Sequence, residues 1–159
     1  MRLHKLKYTT IIDADLEQVW SFFSNPHNLE ELTPRNMKFE IKNPDDTSMY
    51  AGKIISYSIT PFASIPMEWV TEITQYKEKE YFIDEQRFGP YKFWHHIHRF
   101  IEEEGKTTMI DEVSFAYYGG FIGDLLQHYL ITKRIEDIFQ FRTKIISDLF
   151  QSRYTHEKN

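Results

Sequence analysis

Asp84 to Phe100 reads DEQRFGPYKFWHHIHRF, two runs of alternating side chains on either side of a Gly-Pro pair. Gly89-Pro90 predicts a turn, because proline fixes its own φ and restricts the preceding residue to extended geometry. The flanking runs predict strands, so the stretch predicts a β-hairpin. Side chains two residues apart on a strand share a face. One face therefore alternates aromatic with polar or ionisable groups: Asp84, Gln86, Phe88, Trp94, His96, His98 and Phe100.

Composition narrows the class of protein. The chain has 159 residues, 41% hydrophobic and 27% charged, which is typical of one soluble domain. The formal net charge is −5 and no basic stripe is present, so nucleic acid is not an expected partner. The absence of cysteine excludes disulfides and fits a reducing cytoplasm. No signal peptide or membrane-length apolar run is found, so we expect a cytoplasmic protein without stable membrane insertion.

Hairpin-spaced strands fill the middle of the chain. Alternating patterns predict strands over 3–12, 37–42, 52–60, 68–75, 81–88, 93–101 and 107–118. These are about seven strands, and from the second onward no helical pattern separates one from the next. The pattern therefore predicts an antiparallel sheet.

Helical patterns flank the strands. Asp15 predicts an N-cap with Gln18 as its capping-box partner, and a second short helix is predicted over 28–32. Apolar residues then recur at three- and four-residue steps from Phe121 to about Phe150, which predicts a helix roughly 45 Å long. With a single sheet to cover, this helix is expected to lie across the concave side of the strands.

Several motifs accompany this order of elements. The turn is followed by a Trp-x-His-x-His-x-Phe strand, and other motifs are Thr33-Pro34, Trp69 with Glu72, Phe82 to Gln86, Asp111, and Ile138-Phe139 with Arg142. From about Tyr8 to Phe150 the chain resembles the START-like or SRPBCC superfamily, which includes polyketide cyclase/dehydrase-like and coenzyme Q-binding members. The resemblance implies an α+β helix-grip fold, in which a curved antiparallel sheet wraps around a long C-terminal helix and encloses a hydrophobic cavity. We expect a single START-like domain over 1–151 and a flexible tail over 152–159.

Hairpin register predicts which side chains oppose each other. Asp84 is expected opposite His96 across the first turn, and His98 opposite Asp111 across the next. Directly opposed side chains have Cβ atoms about 5 Å apart. Two carboxylate–imidazole pairs, Asp84–His96 and His98–Asp111, are therefore expected on one face of the sheet.

These pairs have a structural and a functional interpretation. They can join the strands by satisfying each other's hydrogen bonds. They can also form the polar end of an aromatic pocket that holds a carboxyl, hydroxyl or carbonyl group of a ligand. On the second interpretation the protein is a carrier or sensor of a small apolar or amphipathic molecule, with no cofactor. The predicted ligand-binding residues are Trp69, Asp84, Gln86, Trp94, His96, His98, Phe100, Asp111, Phe115 and Tyr117.

Two other chemistries fit the same residues. His96 and His98 with one aspartate could bind zinc, but His-x-His is a weak signal without a further histidine or cysteine nearby, so no metal is predicted. An Asp–His pair could serve a cyclase/dehydratase-like enzyme as general base, and the catalytic residues would then be His96, His98, Asp84 and Asp111. No phosphate-binding loop, serine elbow or thiol nucleophile is present.

A protein-interaction module with a vestigial cavity is the third hypothesis. Phe121, Tyr129, Phe139 and Phe141 of the long helix could form a partner surface, including a homodimer face. Cavity size separates the hypotheses. A dry cavity of a few water volumes favours the interaction module, whereas about 300 Å³ or more favours ligand binding or catalysis.

Overall fold

A computed structural model describes residues 2–43, 47–62, 65–118, 120–150 and 153–157, with side chains except at 61–62, 120–130 and 153–157. The strands are β1 His4–Ile12, β2 Glu40–Ile41, β3 Ile54–Phe62, β4 Ile65–Lys77, β5 Tyr81–Phe88, β6 Phe93–Glu103, β7 Lys106–Ala116 and β8 Arg153–Glu157. The α-helices are α1 Leu16–Phe23 and α2 Gly120–Phe150, and single 3₁₀ turns lie at Pro26–Leu29 and Arg35–Met37.

The strands form one sheet in the order β2-β3-β4-β5-β6-β7-β1-β8. Each pair of neighbours is antiparallel. The predicted α+β architecture, with a meander of strands and a long C-terminal helix, is confirmed. The eighth strand was not predicted, since β8 pairs with β1 within the segment expected to be a flexible tail.

Helix α1 begins where the sequence predicts. Asp15 is its N-cap, and the Asp15 carboxylate accepts a hydrogen bond from the backbone N–H of Gln18 at 2.8 Å. The predicted helix over 28–32 is replaced by the first 3₁₀ turn. Asn25 caps that turn through the N–H of His27 and Pro26 occupies its first position, so the turn starts two residues earlier than predicted.

Strand β2 is much shorter than the predicted strand over 37–42. The second 3₁₀ turn ends at Lys38, whose φ of 46° lies in the left-handed region and cannot continue a strand. Only Glu40 and Ile41 pair with β3. Asn43 then fixes the edge of the sheet, because its side chain donates to the carbonyl of Ile54 and accepts from the N–H of Ser56.

The sheet is bent around the centre of β4. Register shifts separate Val70 from Thr71 and Ile73 from Gln75 in the pairing of β4 with β5. Such bulges bend the strand and increase its twist. The bent strands β3 to β6 therefore form a concave face.

Helix α2 covers this face with one side of its second half. Ile135, Phe139, Arg142 and Ile146 are buried, and they recur at steps of four, three and four residues. The ring of Phe139 stacks on Tyr8 of β1 with centroids 4.1 Å apart and planes 6° from parallel. No helix in the described ranges is long and apolar enough to cross a membrane.

The proposed partner surface on α2 needs a correction at one position. Phe139 is 4% exposed and packs into the core, so it is not available to a partner. The side chains of Phe121 and Tyr129 lie outside the described residues. Phe141 is half-buried.

Candidate functional site

A cavity of about 150 Å³ lies between strands β3 to β6 and helix α2. The segment that follows α1 borders it through residues such as Leu29 and Leu32. Its walls are mainly aromatic and aliphatic, and they include Tyr57, Trp69, Tyr91, Trp94, Ile135 and Phe139.

Half of the predicted ligand-binding residues line this cavity. They are Trp69, Asp84, Trp94, His96 and His98. Trp94, His96 and His98 alternate along β6, and Asp84 on β5 pairs with His96, so these side chains share one face of the sheet. Their role in binding stays a prediction.

The other predicted residues lie elsewhere. Gln86 donates to the carbonyl of Tyr91 at 2.6 Å and accepts from the Tyr91 N–H, so it holds the β5–β6 turn. Phe100 packs edge-on against Trp20 in the core. Phe115 is fully buried, and Tyr117 is buried too. The fifth, Asp111, lies behind the cavity lining and contacts the histidines.

The backbone register of the central hairpins is as predicted. Asp84 pairs with His96, and His98 pairs with Asp111. All four side chains lie on one face of the sheet. His96, His98 and Asp111 are buried, and Asp84 is mostly buried.

The aligned hydrogen bonds cross the predicted pairs. His96 Nε2 donates to Asp111 Oδ1 at 2.9 Å, and His98 Nε2 donates to Asp84 Oδ2 at 3.0 Å. The directly opposed contacts are close but lack hydrogen-bond alignment: His96 Nδ1 lies 3.2 Å from Asp84 Oδ2, and His98 Nδ1 lies 2.9 Å from Asp111 Oδ1. The two imidazole centroids are 3.8 Å apart, so the four groups form one compact cluster.

The cluster stabilises the charged forms of Asp84, Asp111 and His96. Burial alone would raise the pKa of Asp84, but the charges and hydrogen bonds of His96 and His98 outweigh burial and hold that pKa well below its usual range. The same balance between burial and the two imidazoles lowers the pKa of Asp111. Burial would lower the pKa of His96, but the two aspartates together raise it. Ionised carboxylates only accept hydrogen bonds, so Nε2 of each histidine carries a proton.

Two polar side chains at the cavity carry donors without acceptors. Arg142 is 8% exposed, and its Nε and Nη1 make no hydrogen bond. Its Nη1 lies 3.9 Å from Asp111 Oδ1, a distance too long for a hydrogen bond. The indole N–H of Trp69 is also buried without a partner. By contrast, the indole N–H of Trp94 donates to Asp84 Oδ1 at 3.2 Å.

Arg142 was not predicted to line the pocket, and it does. The sequence of α2 indicates this position, because Arg142 falls on the same helix face as the apolar residues Ile135, Phe139 and Ile146. Tyr91 was also missed, since it directly follows the predicted turn. It is 3% exposed and borders the cavity.

Three side chains of the cluster could hold a metal ion. Atoms of Asp84, His96 and His98 that can bind metals lie within 4.8 Å of one another. Their nitrogen and oxygen atoms are already close to one another or to Asp111 at hydrogen-bonding distances. A metal ion would have to replace these contacts, so the donor set fits a self-satisfied charge cluster better than an open metal site.

Comparison with known proteins relates the chain to solved structures. A START superfamily protein from Mycobacterium smegmatis superposes with a TM-score of 0.67 at 12% identity, over 93% of this chain and 97% of that one. A major latex-like protein from Panax ginseng gives 0.65 at 13% identity, over 93% and 97%. Another Mycobacterium smegmatis protein gives 0.64 at 20% identity, over 91% and 89%.

No family model and no curated protein matches the sequence. The structural likeness extends over nearly the whole chain at low identity, so it describes the fold and not the ligand. The order of strands, the long α2 and these superpositions agree: the chain has the START-like, helix-grip fold.

Proposed function

We propose that the protein is a carrier or sensor that binds a small, largely apolar or amphipathic molecule between the sheet and α2. The observation that carries the proposal is a cavity of about 150 Å³ with aromatic walls and a buried polar cluster at its edge. Binding sites combine apolar walls with a few placed polar groups in this way.

The size of the cavity limits the ligand. At about 150 Å³ it is half the volume that we expected of a drug-sized site. The volume thus falls between the two sizes that separate the hypotheses, a few water volumes and about 300 Å³. An apolar cavity of about 150 Å³ in another protein binds benzene, which favours ligand binding. The ligand is therefore the size of a single ring or a short branched chain.

Native mass spectrometry of the freshly purified protein tests the proposal directly. We expect a co-purified molecule that is lost on denaturation. A variant with a filled cavity tests where the molecule binds. Because Ile138 lines the cavity, the larger side chain of Ile138→Trp should occupy it and abolish both the adduct and the binding of added toluene. Ile54→Trp is the control, since Ile54 is 46% exposed and does not line the cavity.

The result that contradicts the proposal is equally clear. If the wild-type protein carries no adduct and neither toluene nor other single-ring molecules raise its melting temperature, the cavity is not a binding site. If Ile138→Trp binds as well as Ile54→Trp does, the ligand lies elsewhere.

A cyclase/dehydratase-like enzyme is the second candidate, and the orientation of His98 favours it. Nε2 of His98 is bonded to Asp84, while its Nδ1 makes no aligned hydrogen bond. An imidazole oriented by a carboxylate is the arrangement of a general base. In an enzyme, His98→Gln should abolish turnover while binding survives. In a carrier, the same change should weaken binding only modestly.

A further inference from the structure

Two side chains that line the cavity carry buried hydrogen-bond donors without acceptors. Nε and Nη1 of Arg142 and Nε1 of Trp69 are buried and make no hydrogen bond. Both side chains line the same cavity. An unpaired buried donor costs free energy, and an unpaired buried charge costs more, so a bound group that accepts hydrogen bonds would be favoured here.

The acids of the cluster do not supply that group. Asp84 Oδ1 accepts from Trp94 and Asp84 Oδ2 from His98, while Asp111 Oδ1 accepts from His96. Among the described residues, the ion-pair contact of Arg142 is the 3.9 Å approach to Asp111. The indole of Trp94 and the two imidazoles therefore occupy the carboxylates, whereas Nε and Nη1 of Arg142 have no acceptor within hydrogen-bonding distance.

The remaining walls select the body of the ligand. Trp69 contacts Tyr57, Tyr91 and Trp94, with ring centroids 5.7, 5.3 and 5.4 Å apart. Aromatic surfaces favour stacked or edge-on contacts with another ring. The guanidinium carbon of Arg142 itself lies 5.0 Å from the ring centre of Phe139.

We propose that the cavity takes a small aromatic monocarboxylate, with its ring against the aromatic wall and its carboxylate accepting hydrogen bonds from Arg142. This inference rests on the proposed ligand-binding function and adds the chemical class of the ligand. A carboxylate is favoured over a neutral acceptor because hydrogen bonds between two charged groups are the stronger kind, and Arg matches carboxylate geometry.

Isosteric probes test the charge of the ligand without any mutation. Calorimetry and the fluorescence of Trp69 and Trp94 should show phenylacetate binding at least about tenfold more tightly than phenylacetamide. Benzoate and benzamide form a second pair of probes, in which the carboxylate or amide is attached directly to the ring. The neutral hydrocarbon toluene reports whether the cavity accepts a ring at all.

Variants then locate the effect. Arg142→Gln should remove the preference for phenylacetate over phenylacetamide, and Arg142→Lys should retain part of it. Arg99→Gln removes an exposed positive charge and should leave the preference unchanged. Near-ultraviolet circular dichroism checks that each variant is folded. If a variant does not fold, the comparison of phenylacetate with phenylacetamide on the wild-type protein still tests the carboxylate proposal.

The outcomes distinguish the carboxylate proposal from the proposed ligand-binding function. Equal or tighter binding of the amides, with toluene also bound, overturns the carboxylate class and leaves the ligand-binding function intact. Failure of every probe, toluene included, overturns both. A preference for carboxylates that persists in Arg142→Gln as strongly as in Arg99→Gln overturns the assignment to Arg142.

Discussion

At the scale of residues, the unusual feature is the buried cluster of two aspartates and two histidines. Each imidazole lies between two carboxylates, and the best hydrogen bonds run diagonally between the strands. Removing one member of such a cluster leaves its charged partners buried without compensation. The resulting loss in the free energy of unfolding is larger than the net stabilisation that the intact cluster provides.

The pKa shifts predict how stability depends on pH. Asp84 and Asp111 have lowered pKa values, so their contribution is complete above the ordinary value of 3.8 and is lost as pH falls through the folded-state values. His96 has a raised pKa, so its contribution is complete below 6.5 and is lost as pH rises through the folded-state value. The cluster should therefore stabilise the protein most between about pH 4 and 6.5.

Urea unfolding from pH 3 to 9 measures this dependence. His96→Gln should lower the free energy of unfolding by about 3 kcal/mol near pH 5 and flatten its pH dependence. His95→Gln is the matched control, because His95 lies on the opposite face of β6 and is partly exposed. A wild-type stability that rises steadily through pH 8 would contradict the assignment of charge to His96.

At the scale of elements, the β5–β6 turn shapes one wall of the cavity. Gln86 binds both backbone groups of Tyr91, whose ring borders the cavity. The side chain of Gln86 passes so close to Gly89 that a Cβ there would lie 2.5 Å from Gln86 Oε1. Glycine at this position avoids that contact, and its φ of 157° is one that residues with a side chain rarely adopt.

Gly89→Ala should displace the Gln86 side chain and break its bonds to Tyr91. We expect a loss of about 1–3 kcal/mol in the free energy of unfolding, together with weaker binding of ring-sized ligands. In a Gln86→Ala background the same substitution should cost less, since the clash is gone and only the backbone strain at a φ of 157° remains. Equal costs in the two backgrounds, measured by chemical denaturation, would refute this explanation.

Elements that are determined by interactions between residues close in the sequence were predicted correctly. Asp15 is a cap by itself, and the register of β5, β6 and β7 follows from two short turns, so both were correct. Strand β2 was overestimated because the left-handed Lys38 interrupts an otherwise alternating pattern. The pairing of β8 was missed because polar residues give little signal for an edge strand.

At the scale of the whole molecule, the sheet is more firmly held at its centre than at its edge. Strands β6 and β7 pair along 11 residues and carry three of the four cluster residues, whereas β2 pairs through Glu40 and Ile41 alone. Segments with few hydrogen bonds and little burial open locally, without global unfolding.

Native-state hydrogen exchange should therefore show a gradient across the sheet. Backbone amides of β6 and β7 should exchange only through global unfolding, while those of β2 exchange on the order of 100-fold faster or more through local opening. A ligand that binds in the cavity should slow exchange in the central strands by raising the global stability. Equal protection in β2 and β7 would contradict the gradient.

The sequence by itself determined the class of fold, the register of the central hairpins and the gathering of Asp84, His96, His98 and Asp111 on one face. Those features follow from periodicity and turn geometry, which act over a few residues. Only the tertiary structure decided the volume of the cavity, the crossed hydrogen bonds and the place of Arg142 at the cavity. They depend on how closely the side chains pack within the bent sheet and between the sheet and α2. That packing is determined jointly by many side-chain contacts between segments far apart in the chain.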